Sequence, residues 1–256
     1  MLQDHSFLWN YLWVAPNVFL LMLGAFIWRR GLVRQFPAFL VFVIFSALGD
    51  LAVFTADILP SVSAVNFWRV NWAYLLIESF LKFLVIGEVF SRVLSPYSSI
   101  SRLGRILVSG FGAALVLLAT LAAAYSHGDS SVRLISGFHL LEQTVFLVEL
   151  GLILFIFLFA AYFRLSWDRL SYGVLLGFGV SASGHLAGWA ISANADISAY
   201  GRTLLDFIDM TTHHICVLIW FYYLLVPGKV AAKIPTPLPE NNLDLWNREL
   251  ERLLQQ

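Results

Sequence analysis

Apolar residues are concentrated along this chain in seven runs, each of about 20 residues, which is enough for a helix to cross a bilayer. Short polar links that contain Pro, Gly and Ser separate the runs. The pattern predicts an all-α, polytopic integral membrane protein with a seven-transmembrane-helix bundle. The predicted spans are Trp9–Trp28, Phe36–Phe54, Phe67–Phe90, Ile106–Ala124, Phe138–Phe163, Tyr172–Ala193 and Leu204–Val226.

The chain divides into a membrane domain and a short tail. Residues 1–226 are the predicted seven-transmembrane helical domain, and residues 227–256 are a predicted cytoplasmic tail. Three prolines at the start of the tail prevent the last span from continuing as helix. A short amphipathic helix follows, because apolar residues from Leu243 to Leu253 recur on one face. Such a helix either lies on the inner leaflet or docks a cytoplasmic or membrane partner.

Basic residues are distributed unevenly between the two sides of the predicted bundle. Ten lie in the odd-numbered links and at the start of the tail, whereas three lie in the even-numbered links and their flanks. Because Lys and Arg are retained on the cytoplasmic side, this asymmetry predicts an N-terminus outside and a C-terminus in the cytoplasm. The ten are Arg29, Arg30, Arg34, Arg92, Arg102, Arg105, Arg164, Arg169, Lys229 and Lys233, and the three are Arg69, Arg133 and Arg202.

Composition agrees with a surface covered by lipid. Charged residues are only 12% of the chain and hydrophobic residues 59%, whereas a soluble domain has roughly 25% charged residues. We therefore expect a multi-pass protein of the cell (plasma or inner) membrane, with the bilayer as a partner. The equal numbers of basic and acidic residues, 16 each, argue against a nucleic-acid partner. The single cysteine, Cys216, excludes an intrachain disulfide and any CxxC motif.

Several ionisable side chains lie inside the predicted spans, where each is costly unless it faces the bundle interior. In the seventh span, Asp206, Asp209, His213 and Cys216 form one stripe, whereas His214 points about 100° away from it. The stripe indicates one polar face directed into the bundle.

Other spans carry matching polar faces at a similar depth. In the third span, Glu78 and Lys82 have the i,i+4 spacing of an ion pair. Residues on five spans converge at one level in the predicted outer half of the bilayer, which a purely structural set need not do. The expected ligand-binding residues are Asp50, Tyr74, Glu78, Glu142, Glu149 and Trp189, and the expected metal ligands are His185, His213 and Asp209.

Two functional hypotheses stand beside the structural alternative that this cluster only fixes the bundle. The first is a sensor or transporter that binds a divalent metal (Zn, Fe or Mn) or a small polar ligand, since imidazole and carboxylate suit these metals. The second is a metal-dependent membrane hydrolase, and haem held between His185 and His213 ranks below it. Retinal chemistry is excluded, because the seventh span has no lysine and Lys82 lies in the third.

The seven-span topology resembles the alkaline-ceramidase and adiponectin-receptor type of zinc hydrolases. That family has a His in an early span and a His-x-x-x-His in the last span. Here Ser46 and Asp50 occupy the early position, and His213 and His214 are adjacent. The resemblance therefore implies the topology alone, and no functional residue is carried over from it.

Overall fold

A computed structural model describes residues 6–93, 110, 130–162, 165, 167–194 and 199–226. These residues are all-helical apart from short turns. The α-helices are α1 (Phe7–Arg29), α2 (Pro37–Ile58), α3 (Ala64–Val93), α4 (Ser130–Tyr162), α5 (Arg169–Asn194) and α6 (Ala199–Leu225), with a 3-10 turn at Leu32–Arg34. The predicted fourth span, apart from Gly110, and the tail with its amphipathic helix lie outside the described residues.

Six predicted spans each correspond to one helix. Spans one to three are α1 to α3, and spans five to seven are α4 to α6. The largest difference is at α4, which begins at Ser130, well before the predicted start at Phe138. Among the described helices, five are long and apolar enough to cross a membrane, and α3 is not one of them. The chain is thus a multi-pass membrane protein.

Local sequence signals set several helix ends. Ser6 caps α1, because its side-chain oxygen accepts a hydrogen bond from the Trp9 N–H at 3.3 Å. Gly31 ends the turn after α1 with a φ of 68°, which a side chain would make strained. Pro37 occupies the first turn of α2, where its missing N–H costs nothing. Asp168 accepts the Ser171 N–H at 2.9 Å ahead of α5.

The six described helices pack in a closed ring. Each packs against the next described helix along the chain, and α6 packs against α1. Most neighbours are antiparallel, but α3 and α4 run in the same direction, and so do α6 and α1. Lys82 of α3 lies 4.7 Å from the Phe146 ring of α4, and further along both helices Phe90 stacks on Phe155. Both helices therefore begin at the end of the bundle where α1 begins.

The half of the bundle farther from that end is filled by aromatic side chains, and we call it the aromatic half. Trp220 of α6 contacts Phe39 and Phe42 of α2 and Phe178 of α5, with ring centroids 5.1–5.9 Å apart. All four rings are buried. The Trp220 indole N–H donates to the Val174 carbonyl at 3.1 Å, so its one polar atom is satisfied.

The outside of the bundle is apolar. Large hydrophobic side chains are exposed on successive turns of α1, α2, α4 and α6, among them Met22, Val41, Leu158 and Leu218. A soluble protein rarely exposes such a continuous apolar surface, whereas a bilayer covers it without cost. The exposed surface of the described helices is therefore suited to lipid contact.

Candidate ligand-binding cavity

The other half of the bundle contains a partly open cavity of about 530 Å³, and we call this half the cavity half. Every described helix contributes to its lining. Along α3 the lining runs from Phe67 to Lys82, which corresponds to about 22 Å of helix axis. Its volume is within the range of about 300–1,000 Å³ typical of small-molecule sites.

Carboxyl and aromatic side chains dominate the polar and apolar parts of this lining. One lysine, Lys82, and two histidines, His185 and His213, accompany the acids. The carboxyl groups belong to Asp50, Glu78, Glu142, Asp206 and Asp209, and the aromatic rings belong to Trp9, Trp13, Phe67, Trp68, Tyr74 and Phe146. The cavity thus combines an excess of acidic groups with large aromatic surfaces.

Asp50 of α2 is held in a fixed orientation by two donors from α1. The Trp13 indole N–H donates to one carboxyl oxygen at 3.2 Å, and the Asn17 amide donates to the other at 2.5 Å. The Asn17 amide also donates to the Trp13 carbonyl at 2.8 Å. Both donors are uncharged, so they orient the Asp50 carboxyl without neutralising a charge on it.

Glu78 and Lys82 form the predicted ion pair, with 3.7 Å between Nζ and Oε1. Ser46 of α2 donates a hydrogen bond to the same Glu78 oxygen at 3.2 Å. Glu78 and Lys82 are 9% and 8% exposed, so the pair is almost fully removed from the surface. Removing either partner would leave the other buried without its counter-charge.

A stack of three side chains follows Lys82 across the bundle. The Lys82 ammonium lies over the Phe146 ring, which stacks on His185 with 4.1 Å between centroids and 12° between planes. His185 Nδ1 lies 3.5 Å from an Asp209 oxygen. Helices α3, α4, α5 and α6 are therefore connected side chain by side chain at one level.

The rotation predicted for the seventh span is confirmed in α6. Asp206, Asp209 and His213 line the cavity, whereas His214 faces α1. The His214 ring lies 5.5 Å from the Phe19 ring, measured between centroids. Adjacent histidines thus have different surroundings, as one-residue steps around a helix require.

Two predicted site residues do not line the cavity. Glu149 is fully buried on α4, one turn beyond Phe146, and neither of its carboxyl oxygens has a hydrogen-bond donor among the described residues. Trp189 lies one turn beyond His185 on α5, outside the lining. The cavity does bring together the seven other predicted residues, including both predicted histidine ligands.

The predicted metal ligands approach one another only in part. His185 and Asp209 are within 3.5 Å, and His213 lines the same cavity. Among the described residues, however, no group of three His, Cys, Asp or Glu side chains has the spacing of a metal site.

Sequence reasoning missed the aromatic side chains that α1 and the start of α3 bring to the cavity. Trp13 is the clearest case, because it supplies a hydrogen bond to Asp50. A tryptophan carries an indole N–H that needs an acceptor when it is buried, and this was the available signal. Which acceptor it meets depends on how α1 packs against α2.

Comparison with known proteins gives no relative: no family model, no curated protein and no solved structure matches the chain.

Proposed function

We propose that this protein is a seven-helix membrane protein that binds a small polar ligand in the cavity, as a sensor or a transporter. The observation that carries the proposal is the convergence of five carboxyl groups, one lysine and two histidines from the helices around a volume of ligand size. Ionisable groups inside a membrane are costly and usually mark a ligand or ion pathway.

The parallel directions of α3 and α4 support the proposal that the protein has a seventh helix. Since α3 ends at the aromatic half and α4 begins at the cavity half, the chain between Val93 and Ser130 has to return from one side of the bundle to the other. An odd number of crossings satisfies this, and the predicted span Ile106–Ala124 supplies one.

The positions of the basic residues support an outward-facing cavity. Arg30 donates to the Leu224 carbonyl and Arg92 to the Gln35 carbonyl, both at the end of the aromatic half. Arg169, at the start of α5, lies over the Tyr222 ring at the same end. If the basic end is cytoplasmic, the cavity faces the outside.

The experiment blocks the cavity with a bulky side chain and measures which bound compounds are lost. The purified wild type is incubated with an extract of polar small molecules from the expressing cells, and retained compounds are identified by mass spectrometry. Asn71 lines the cavity, so Asn71→Trp should abolish retention. Asn66→Trp, on an exposed position of the same helix, is the matched control and should not. A set of retained compounds that is identical for wild type and Asn71→Trp would contradict the proposal.

Reconstitution into liposomes distinguishes a transporter from a sensor. A retained compound that accumulates inside vesicles with the wild type, but not with Asn71→Trp, identifies a transporter. Binding without accumulation identifies a sensor.

A divalent metal is the second candidate ligand, favoured by the 3.5 Å approach of His185 to Asp209 beside His213. Metal analysis of the purified protein tests it. Stoichiometric zinc, iron or manganese that is lost in His185→Ala would support a metal site in the cavity. It would also support metal-dependent hydrolysis as a candidate activity. Metal that remains in that variant would contradict this assignment of the ligands.

A further inference from the structure

Asp50 differs from Glu78 and Asp209, two other acidic residues that line the cavity and whose contacts are described above. Its carboxyl accepts hydrogen bonds from Trp13 and Asn17, but no basic side chain of the described residues pairs with it. Glu78, by contrast, already has Lys82, and Asp209 has His185 within 3.5 Å. Asp50 is therefore a pre-oriented carboxyl group with room for a cationic partner.

Aromatic rings lie close to this carboxyl group. Trp13 lies beside it and packs edge-on against Trp9, with 6.0 Å between centroids. Tyr74 lies directly against Gly49, the residue before Asp50, where a Cβ atom would come within 2.5 Å of the ring. Faces of Trp and Tyr attract ammonium groups, most strongly where water is excluded.

Charge and ligand spacing both disfavour an anion or a bare metal ion at Asp50. An anion would face five carboxyl groups, and the one lysine in the lining is already paired with Glu78. A bare metal ion would need several oxygen or nitrogen ligands together. At Asp50, two carboxyl oxygens already accept N–H donors, and the described residues hold no cluster of three ligands.

We infer that the ligand is a small organic cation, whose ammonium group binds at Asp50 beside Trp13 and Tyr74 while its body occupies the rest of the cavity. This inference rests on the proposed function, since it names the chemical class of the ligand for the same cavity. The uncharged end of the ligand then contacts the Glu78–Lys82 pair.

The test uses pairs of probes that have closely similar shapes, one member being charged and the other uncharged. Choline is compared with its uncharged carbon isostere dimethylbutanol, and phenylethylamine with phenylethanol. Binding to the full-length protein in lipid nanodiscs is measured by calorimetry. We expect each cation to bind at least about tenfold more tightly than its uncharged partner, which is the scale of a desolvated cation–π contact.

Variants then assign the binding to Asp50. Asp50→Asn should remove the preference for the cation, whereas Asp57→Asn, on an exposed position of the same helix, should leave it unchanged. Trp13→Leu should weaken cation binding by about twofold to thirtyfold. Trp13→Phe keeps a ring and should lose less, and a thermal melt of each variant shows that it is folded.

The outcomes separate this inference from the proposed function. Equal binding of charged and uncharged probes, or a cation preference that survives in folded Asp50→Asn, overturns the ligand class and leaves the cavity as a binding site. Binding of neither cation also overturns it. The proposed function is then decided by retention with wild type and Asn71→Trp alone.

Discussion

Trp220 and Trp13 lie in opposite halves of the bundle, and their indole N–H groups have different acceptors. Trp220 is 1% exposed, is enclosed by other rings, and donates to a backbone carbonyl. Trp13 borders the cavity and donates to the Asp50 carboxyl. The same residue type thus completes a packed core in one half and orients a polar group in the other. We therefore expect stability to come mainly from the aromatic half, and we expect the proposed ligand binding to depend on the cavity half.

Replacement of Trp220 should have the largest effect on stability. Trp220→Ala leaves a void among Phe39, Phe42 and Phe178, and such substitutions cost about 3–5 kcal/mol. Thermal unfolding of the detergent-solubilised protein measures it. Trp13→Ala is the matched change in the cavity half and should lower the melting temperature less while weakening binding. Equal losses of stability in Trp220→Ala and Trp13→Ala would contradict the distinction between the two halves.

The buried ion pair should show a strong dependence of one partner on the other. Lys82→Met leaves Glu78 buried without its counter-charge, and breaking one side of such a pair costs about 3–5 kcal/mol. The double variant Glu78→Gln/Lys82→Met removes both charges and should recover much of the melting temperature. A double variant that is stable but no longer binds ligand would show that the pair serves the site. A single Lys82→Met that melts like wild type would contradict the pairing.

The close approach of α2 and α3 beside Asp50 gives a smaller effect. At Gly49 an added methyl group meets the Tyr74 ring at 2.5 Å, and overpacking of this kind costs about 1–3 kcal/mol. Gly49→Ala should therefore destabilise the protein and weaken binding, because Tyr74 has to move. Gly151→Ala, where nothing lies within 4 Å, should be neutral or slightly stabilising. Thermal melts of the two variants compare them directly.

Alanine substitutions of the two adjacent histidines of α6 and of the histidine of α5 should differ from one another in their effect on binding. Their effects on stability should differ less. His185→Ala or His213→Ala should lower ligand or metal occupancy, since both line the cavity. His214→Ala should not, because His214 packs against Phe19 on α1. Loss of a neutral hydrogen bond corresponds to about a twofold to tenfold change in affinity. Equal losses at His213 and His214 would mean that α6 is rotated from the described position.

Much of the fold was predictable because its signals are local. The length of an apolar run fixes a membrane helix, and six of the seven predicted spans correspond to described helices. Within one helix, rotation is also local, which is why the Glu78–Lys82 pair and the divergence of His213 from His214 were predicted correctly. Residues 130–137, by contrast, were predicted as part of a polar link although they are helical.

Contacts between helices could not be predicted from the sequence. The Trp13–Asp50 hydrogen bond depends on the rotation of α1 against α2. The position of Glu149 beyond Phe146 depends on where the cavity ends, which the packing of rings determines. Equal depth along the spans placed Glu149 in the site, but depth alone does not distinguish the cavity from the buried interface just beyond it.

Water access from outside the cell tests the central claim most directly. In a Cys216→Ala background, single cysteines replace Met210, which lines the cavity, and Val217, which is fully buried in the aromatic half on the same face of α6. A membrane-impermeant thiol reagent is added to sealed cells. We predict that Met210→Cys is labelled and Val217→Cys is not. Equal labelling of both positions, or labelling of Met210→Cys only after the cells are opened, would contradict an outward-facing ligand cavity.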